Sequence, residues 1–267
     1  MRLALFQLDA AEAGDGEAGI ARARRCLLRA REAGAALAHL PELAIPGYGV
    51  EPEALQAEAA QAPAALARLG RMVHETGVAL ALGMPIPEGG AVRNAAVFLA
   101  PGAAPVVYAK RFLYGEHERA AFRPGTVGAP VVAFAGLRIG LLVCFDVEFP
   151  ETVRALALAG ADLVLVPTAL PAGAGARFIA RTLVPARAFE NGLFLSYADW
   201  CGADRRFRFQ GLSAVAGPDG ALLAAADETG AAMLVADLDP TAIEAARAAN
   251  DYLGELRAWR ERGRADG

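Results

Sequence analysis

Serine and lysine are nearly absent from this 267-residue chain, which has only Ser196, Ser213 and Lys110. Neither serine sits in a Gly-x-Ser-x-Gly elbow, so the usual mount of a serine hydrolase is missing. The three cysteines, Cys26, Cys144 and Cys201, form no close pair. That argues against a disulfide framework and against a zinc site, and no metal ligands are expected. No apolar run approaches the roughly 20 residues of a membrane helix. Met1 to Leu8 reads as a strand rather than a leader, so the expected location is the cytoplasm, with no membrane partner. A formal net charge of −4 gives no reason to expect nucleic acid as partner. Every basic side chain but one of the 26 is arginine. Such drift towards arginine leaves two readings of Lys110. It is either the last survivor, or it does a job that a broad, permanently charged guanidinium cannot do.

With 55% hydrophobic and 21% charged residues, the chain can build an ample core. It has no internal repeat, linker or break in composition, so residues 1–267 are expected to form one domain. Strand and helix signals alternate in roughly the order of an α/β fold, with extra hairpins. Strands are predicted at 2–8, 35–40, 78–84, 95–99, 106–109, 131–134, 137–143, 163–167, 193–198, 212–216, 222–225 and 233–238. Helices are predicted at 17–33, up to Thr76 with breaks at Pro52 and Pro63, at 150–160, at 177–190 and from Pro240. Residues 111–125 read as a polar, aromatic loop. The tail, about 248–267, carries Tyr252, Leu253, Leu256 and Trp259 on an apolar side too narrow for a core helix. It is expected to pack on a partner subunit.

The stretch from Leu137 to Glu151 organises the chain. An apolar strand ends at Cys144, and Pro150 then opens a helix. This strand-to-helix turn is where α/β sheets bind ligands and mount nucleophiles. A lone cysteine is most often a reduced core residue, but Asp146 and Glu148 beside this one are out of place in a core. Glu42 follows another apolar strand in the rigid loop Pro41 to Tyr48, and Lys110 closes a third. A free thiol ionises only near pH 8.5, so a nucleophilic cysteine needs a base or a cation beside it. Lys110 can lower the thiol pKa and hold a developing oxyanion. Glu42 can take the thiol proton if its surroundings raise its own pKa towards neutrality.

These pieces together resemble the nitrilase superfamily of carbon–nitrogen hydrolases. The matching segments run in order: Arg2–Gln7, Pro41-Glu42-Leu43 to Gly47-Tyr48, Tyr108-Ala-Lys110-Arg-Phe-Leu113 and Glu118 to Gly125. They continue with Gly140-Leu-Leu-Val-Cys144-Phe-Asp-Val-Glu-Phe-Pro150-Glu151, Leu163–Ala169, Arg187–Asn191 and Gly217-Pro-Asp-Gly220. Val147–Glu151 and Ser196–Ala203 suggest the branch of small aliphatic amidases of the 5-aminopentanamidase and stereoselective amidase type. The resemblance implies an α/β four-layer α-β-β-α sandwich, normally dimeric or of higher order through a helical face, using no metal or organic cofactor. It implies a small-molecule amide, possibly amino-bearing, cleaved to carboxylate and ammonia through a cysteine thioester. Glu42 would be the general base, Lys110 the oxyanion stabiliser and Cys144 the nucleophile. Glu118 would position the lysine or the substrate, with Glu116 second in line for that role. Phe145 would give a second oxyanion N–H, and Glu148, Thr168, Asp199 and Trp200 would meet substrate. Phe112, Leu170 and Asp199 depart from the pattern, with Asp199 expected to select a cationic amide. An N-carbamoyl amine hydrolase, a nitrilase and a catalytically idle binding protein of the same fold remain as alternatives. A dinucleotide-binding protein is set aside, since Gly173-Ala-Gly175 lacks a third glycine and the strand-to-helix context.

Overall fold

A computed structural model describes residues 1–265. It begins with β1 (Arg2–Asp9), an alternating strand. Leu3 and Leu5 face inward to a core shared with the second sheet, and Ala4, Phe6 and Leu8 face outward. Helix α1 (Gly16–Glu32) carries the chain to β2 (Leu37–His39), parallel to β1. Helix α2 (Pro52–Thr76) then leads to β3 (Ala79–Glu88), parallel to β2. Hairpins add β4 (Ala91–Leu99) and β5 (Val106–Ala109), each antiparallel to its predecessor. Ile20, Leu27, Leu55 and Leu69 of the two helices cover the outer side of this sheet.

The next segment forms the short helix α3 (Gly115–Ala121), inside what reads in sequence as a loop. The second sheet starts with the hairpin β6 (Val131–Phe134) and β7 (Leu137–Leu141). A 3-10 turn, Cys144–Glu148, and helix α4 (Pro150–Leu158) follow. Strand β8 (Leu163–Pro167) lies parallel to β7. Helical turns α5 (Ala176–Phe178) and α6 (Val184–Phe189), joined by a π-helical turn, bring the chain to β9 (Phe194–Ala198), parallel to β8. The two-residue β10 (Trp200–Cys201) joins β1 of the first sheet. The antiparallel pair β11 (Ala214–Ala216) and β12 (Leu222–Ala225) extends the second sheet from β9. Finally β13 (Ala232–Asp237) returns antiparallel to β1, followed by α7 (Pro240–Ala249) and α8 (Tyr252–Ala265).

The two sheets pack face to face, β1 on β9, β3 on β8 and β4 on β7. Val153 and Leu156 of α4 and Val184 and Ala188 of α6 join the core on the second sheet's side. The result is the expected α-β-β-α sandwich. Parallel strands buried on both faces explain the nearly unbroken apolar runs. The C-terminal ends of β2, β5, β7, β8 and β9 carry Glu42, Lys110, Cys144, Thr168 and Asp199 to one region between the sheets.

Two sequence expectations change here. Helix α2 does not break at Pro63, which lies on the exposed side while Leu55, Ala59, Ala62, Ala65, Leu69 and Val73 are buried along the other. The apolar face holds the helix through the hydrogen bond that proline removes, and Gly77, at φ +70°, ends it. A full dinucleotide-type spacing does occur, at Gly14-Asp15-Gly16-Glu17-Ala18-Gly19 between β1 and α1. Its helix terminus is already filled by carboxylates. Asp15 Oδ1 accepts from Ala18 N at 2.9 Å and Glu58 Oε1 from Gly16 N at 2.9 Å. Negative charge at that position opposes a phosphate.

Candidate active site

Glu42, Lys110 and Glu118 are fully buried and in direct contact. Lys110 leaves β5 with its N–H bonded to the Asn94 carbonyl at 2.8 Å. Its ammonium donates to Glu42 Oε1 at 2.7 Å and to Glu118 Oε1 at 2.6 Å. Burial alone would lower the lysine pKa, but the Glu118 and Glu42 carboxylates hold it well above its ordinary value. The charged form is thus favoured although the side chain is fully buried. Two carboxylates on one cation satisfy more of its donors than a single partner could, as a charge taken out of water requires.

Glu42 uses its two oxygens differently. Oε1 accepts from Lys110 and from Asn94 Nδ2 at 2.7 Å, while Oε2 is buried with no partner. Burial pushes the carboxyl up to about 7, with Lys110 and Asn94 opposing and Glu118 assisting. Its loop is tightly held. Glu42 N–H donates to the Thr168 carbonyl at 3.2 Å, and the Glu42 carbonyl accepts from Trp200 Nε1 at 2.7 Å. Gly83 of β3 presses on the same backbone, where any Cβ would run into Glu42 Cα and Leu43 N.

Glu118 is placed by α3. Its Oε1 also accepts from Tyr48 OH at 2.7 Å and its Oε2 from Tyr114 N–H at 2.8 Å. Glu116 on the same helix is exposed, so the structure brings Glu118 to the lysine. The Tyr48 ring is in turn packed edge-on by Phe207 and Phe209 at 5.3 and 5.8 Å.

Cys144 opens the 3-10 turn with φ +43°, in the left-handed region that a side chain other than glycine rarely adopts. Such strain costs of order 1–3 kcal/mol and persists only where the surroundings enforce it. Asp146 supplies much of that enforcement. Its Oδ1 accepts from Phe112 N–H at 2.9 Å and Arg111 N–H at 3.2 Å, and its Oδ2 from Tyr108 OH at 3.0 Å and Val143 N–H at 3.2 Å. One carboxylate thereby ties the cysteine turn to the chain that follows Lys110. Arg187 holds the far end of the turn through the carbonyls of Val147 at 3.1 Å and Glu148 at 2.8 Å. Burial raises the thiol well above its usual pKa and Glu42 and Glu118 add to that, against Lys110 and the Ala169 N–H. Lys110 thus pulls the thiol pKa in the expected direction but does not prevail. Burial and the two carboxylates favour the thiol form of Cys144.

The five residues expected to meet substrate divide. Phe145 and Glu148 are half-buried at the turn, and Phe145 packs edge-on against Tyr114 at 5.3 Å and Phe149 at 5.1 Å. Phe112 stacks on Phe149 at 3.8 Å. Burial raises the Glu148 carboxyl, with Lys110 and Arg187 opposing. Thr168 is buried, with its hydroxyl on the Val166 carbonyl at 3.0 Å. Trp200 lies behind Glu42 in the helix-side core. Asp199 is fully buried; its Oδ1 accepts from Leu170 N–H at 2.9 Å and Trp200 N–H at 2.8 Å. Burial raises its pKa well above its ordinary value, and the two N–H bonds oppose that rise. Sequence reading missed Asn94, which lies just before the predicted start of β4, and assigned no site role to Tyr48 or Asp146.

Both the sequence and the two-sheet frame have counterparts among known proteins. The sequence matches the Carbon-nitrogen hydrolase family over residues 2–248. A hydrolase encoded in the pqqF 5' region of Pseudomonas protegens is 36% identical over 96% of this chain and 89% of its own length. An (R)-stereoselective amidase of a Pseudomonas species is 36% identical over 72% of this chain and 69% of its own. Among solved structures, the amidase from Nesterenkonia sp. AN1 was determined with acrylamide, as a glutamate-to-glutamine and cysteine-to-alanine double variant. It is 38% identical, with a TM-score of 0.86 over 98% of this chain and 96% of that one. A single glutamate-to-glutamine variant of that amidase shows Michael addition of acrylamide at its active-site cysteine, at 37% identity and a TM-score of 0.83 over 97% of this chain and 99% of that one. Full-length agreement in sequence and in the two-sheet frame leads to one assignment: the chain belongs to the nitrilase superfamily of carbon–nitrogen hydrolases.

Proposed function

We propose that the protein is an amidase that hydrolyses small aliphatic carboxamides to carboxylate and ammonia, with Cys144 as nucleophile. The observation that carries this reading is the free Oε2 of Glu42. It is a buried, partnerless acceptor on a carboxyl raised to about 7, within reach of charge interaction with the Cys144 thiol whose proton must leave. Cys144 Sγ attacks the amide carbon as its proton passes to Glu42. The carbonyl oxygen becomes an oxyanion held by the Lys110 ammonium and the Phe145 backbone N–H. Collapse breaks the C–N bond while Glu42 returns the proton to nitrogen, releasing ammonia and leaving a thioester. Water, deprotonated by Glu42, then attacks the thioester, and Cys144 recovers its proton as the carboxylate departs. Glu118 fixes the ammonium and takes no proton in this scheme.

Phe112, Tyr114, Phe145 and Phe149 together with Glu148 suit an acyl chain that is apolar near the carbonyl. The Glu148 carboxylate, not Asp199, is the charge available to an amino group further out. Three unpaired cysteines fit a cytoplasmic setting. Among the described residues no helix is long and apolar enough to cross a membrane. Exposed Trp259, and Tyr252 packed edge-on against exposed Phe189 at 5.7 Å, suit the packing of α8 on a second copy. The last two tail residues, 266–267, lie outside the described residues.

The test is ammonia release from a panel of short aliphatic amides, N-carbamoyl amines and nitriles. Amides should be turned over fastest, and Cys144→Ala should be inactive on all of them while keeping its fold. Faster turnover of carbamoyl amines or nitriles would move the assignment to those reactions. Ammonia release by Cys144→Ala would remove the nucleophile.

A further inference from the structure

Arg22 of α1 is 2% exposed and, among the described residues, its guanidinium donates to no carboxylate, which is unusual for a buried arginine. All its hydrogen bonds go to backbone carbonyls. Nη1 reaches Glu12 O at 2.8 Å, and Nη2 reaches Ala44 O at 2.7 Å and Pro46 O at 3.3 Å. The guanidinium also lies 5.2 Å from the centroid of the Trp200 ring, and the Trp200 indole N–H is the group bonded to the Glu42 carbonyl. One cation therefore meets the Glu42 loop twice, directly behind Glu42 and through the indole that holds Glu42 itself.

The loop has reason to need holding. Leu43, immediately after Glu42, has φ +46°. Gly83 crowds the same backbone from β3, and Ile45 N–H reaches back to the Gly83 carbonyl at 3.4 Å. Free carbonyls buried in the sandwich would be costly without donors. A planar guanidinium can serve several diverging carbonyls while stacking on an aromatic face, and an ammonium cannot do both.

We infer that Arg22 is a positioning residue for the proton-transfer step: through the Ala44 and Pro46 carbonyls and the Trp200 ring it fixes the free oxygen of Glu42 against Cys144. This rests on the reading of Glu42 as the base of an amidase. A small displacement of a reacting group costs up to about 10²-fold in rate, and that is the scale of effect expected.

The experiment measures two rates in the wild type, Arg22→Met and Arg22→Lys. One is steady-state hydrolysis of the best amide; the other is alkylation of Cys144 by iodoacetamide at neutral pH, which needs no substrate. Arg22→Met should lower kcat and the alkylation rate by about tenfold to a hundredfold with KM within about twofold, and Arg22→Lys should fall between it and wild type. In a Glu42→Gln background Arg22→Met should give no further loss of alkylation. A purely structural role would instead slow both backgrounds alike and track melting temperature. Wild-type kcat and alkylation in Arg22→Met would overturn the inference, as would equal losses in the two backgrounds. Should Arg22→Met fail to fold, Arg22→Lys decides by the same criteria. A wild type that cleaves no amide would sink the amidase reading alone, since the alkylation comparison still tests Arg22.

Discussion

At the residue scale, the site sets three ionisable groups against one another so that a proton can move at neutral pH. Desolvation drives Glu42 up to about 7, where a carboxyl can both take and return a proton. Asn94 opposes that rise by favouring the ionised form. Because the base must be ionised to act, kcat/KM should fall as pH drops through about 7. Asn94→Ala should move that acid limb to higher pH. A limb at the ordinary carboxylate position near 4.3, or one unmoved by Asn94→Ala, would mean another group controls it. Glu42, Lys110 and Cys144 were legible in the sequence because each follows an apolar run, where a polar side chain is out of place without a purpose. Asn94 was not, because it lies within a long hairpin whose first residues lack a clear apolar alternation. Asp199 shows how little a strand-end acid tells about its surroundings. A carboxylate after a strand suggests a charge on display, and here its Oδ1 accepts from two backbone N–H groups while its Oδ2 is buried with no partner.

At the scale of elements, strands were easier to read than short helices. Runs such as Leu163–Pro167 are apolar throughout because both faces are buried, and their ends fall close to the predicted ones. Helix α3 escaped detection because it has seven residues, no side-chain N-cap and too few apolar positions to show a period. Yet it carries Glu118 to the ammonium. The opposite error, breaking α2 at Pro63, came from weighing local propensity without the buried face that overrides it. Proline in a helix interior costs about 3 kcal/mol relative to alanine, partly offset by its stiffer unfolded chain. Pro63→Ala, on the exposed side, should therefore raise the melting temperature by several degrees without changing kcat. A lowered melting temperature would mean that Pro63 is better accommodated than a helix interior allows.

At the scale of the whole molecule, two sheets from distant parts of the chain meet so that strand ends of each contribute to one closed site. Glu42 and Lys110 come from the first sheet, Cys144 and the Thr168–Ala169 turn from the second. Asp146 and the Glu42–Thr168 backbone bond cross the gap between them. The sandwich therefore has to be complete before the thiol meets its base. The central claim is that this meeting yields covalent catalysis at Cys144. Its most direct measurement is the intact mass of the protein, acid-quenched within milliseconds of mixing with a good amide, followed by peptide mapping. The wild type should gain the mass of the acyl group, with ammonia lost, on the peptide bearing Cys144, and Cys144→Ala should gain nothing. An adduct on any other residue, or rapid ammonia release from a protein that never carries the acyl mass, would contradict it.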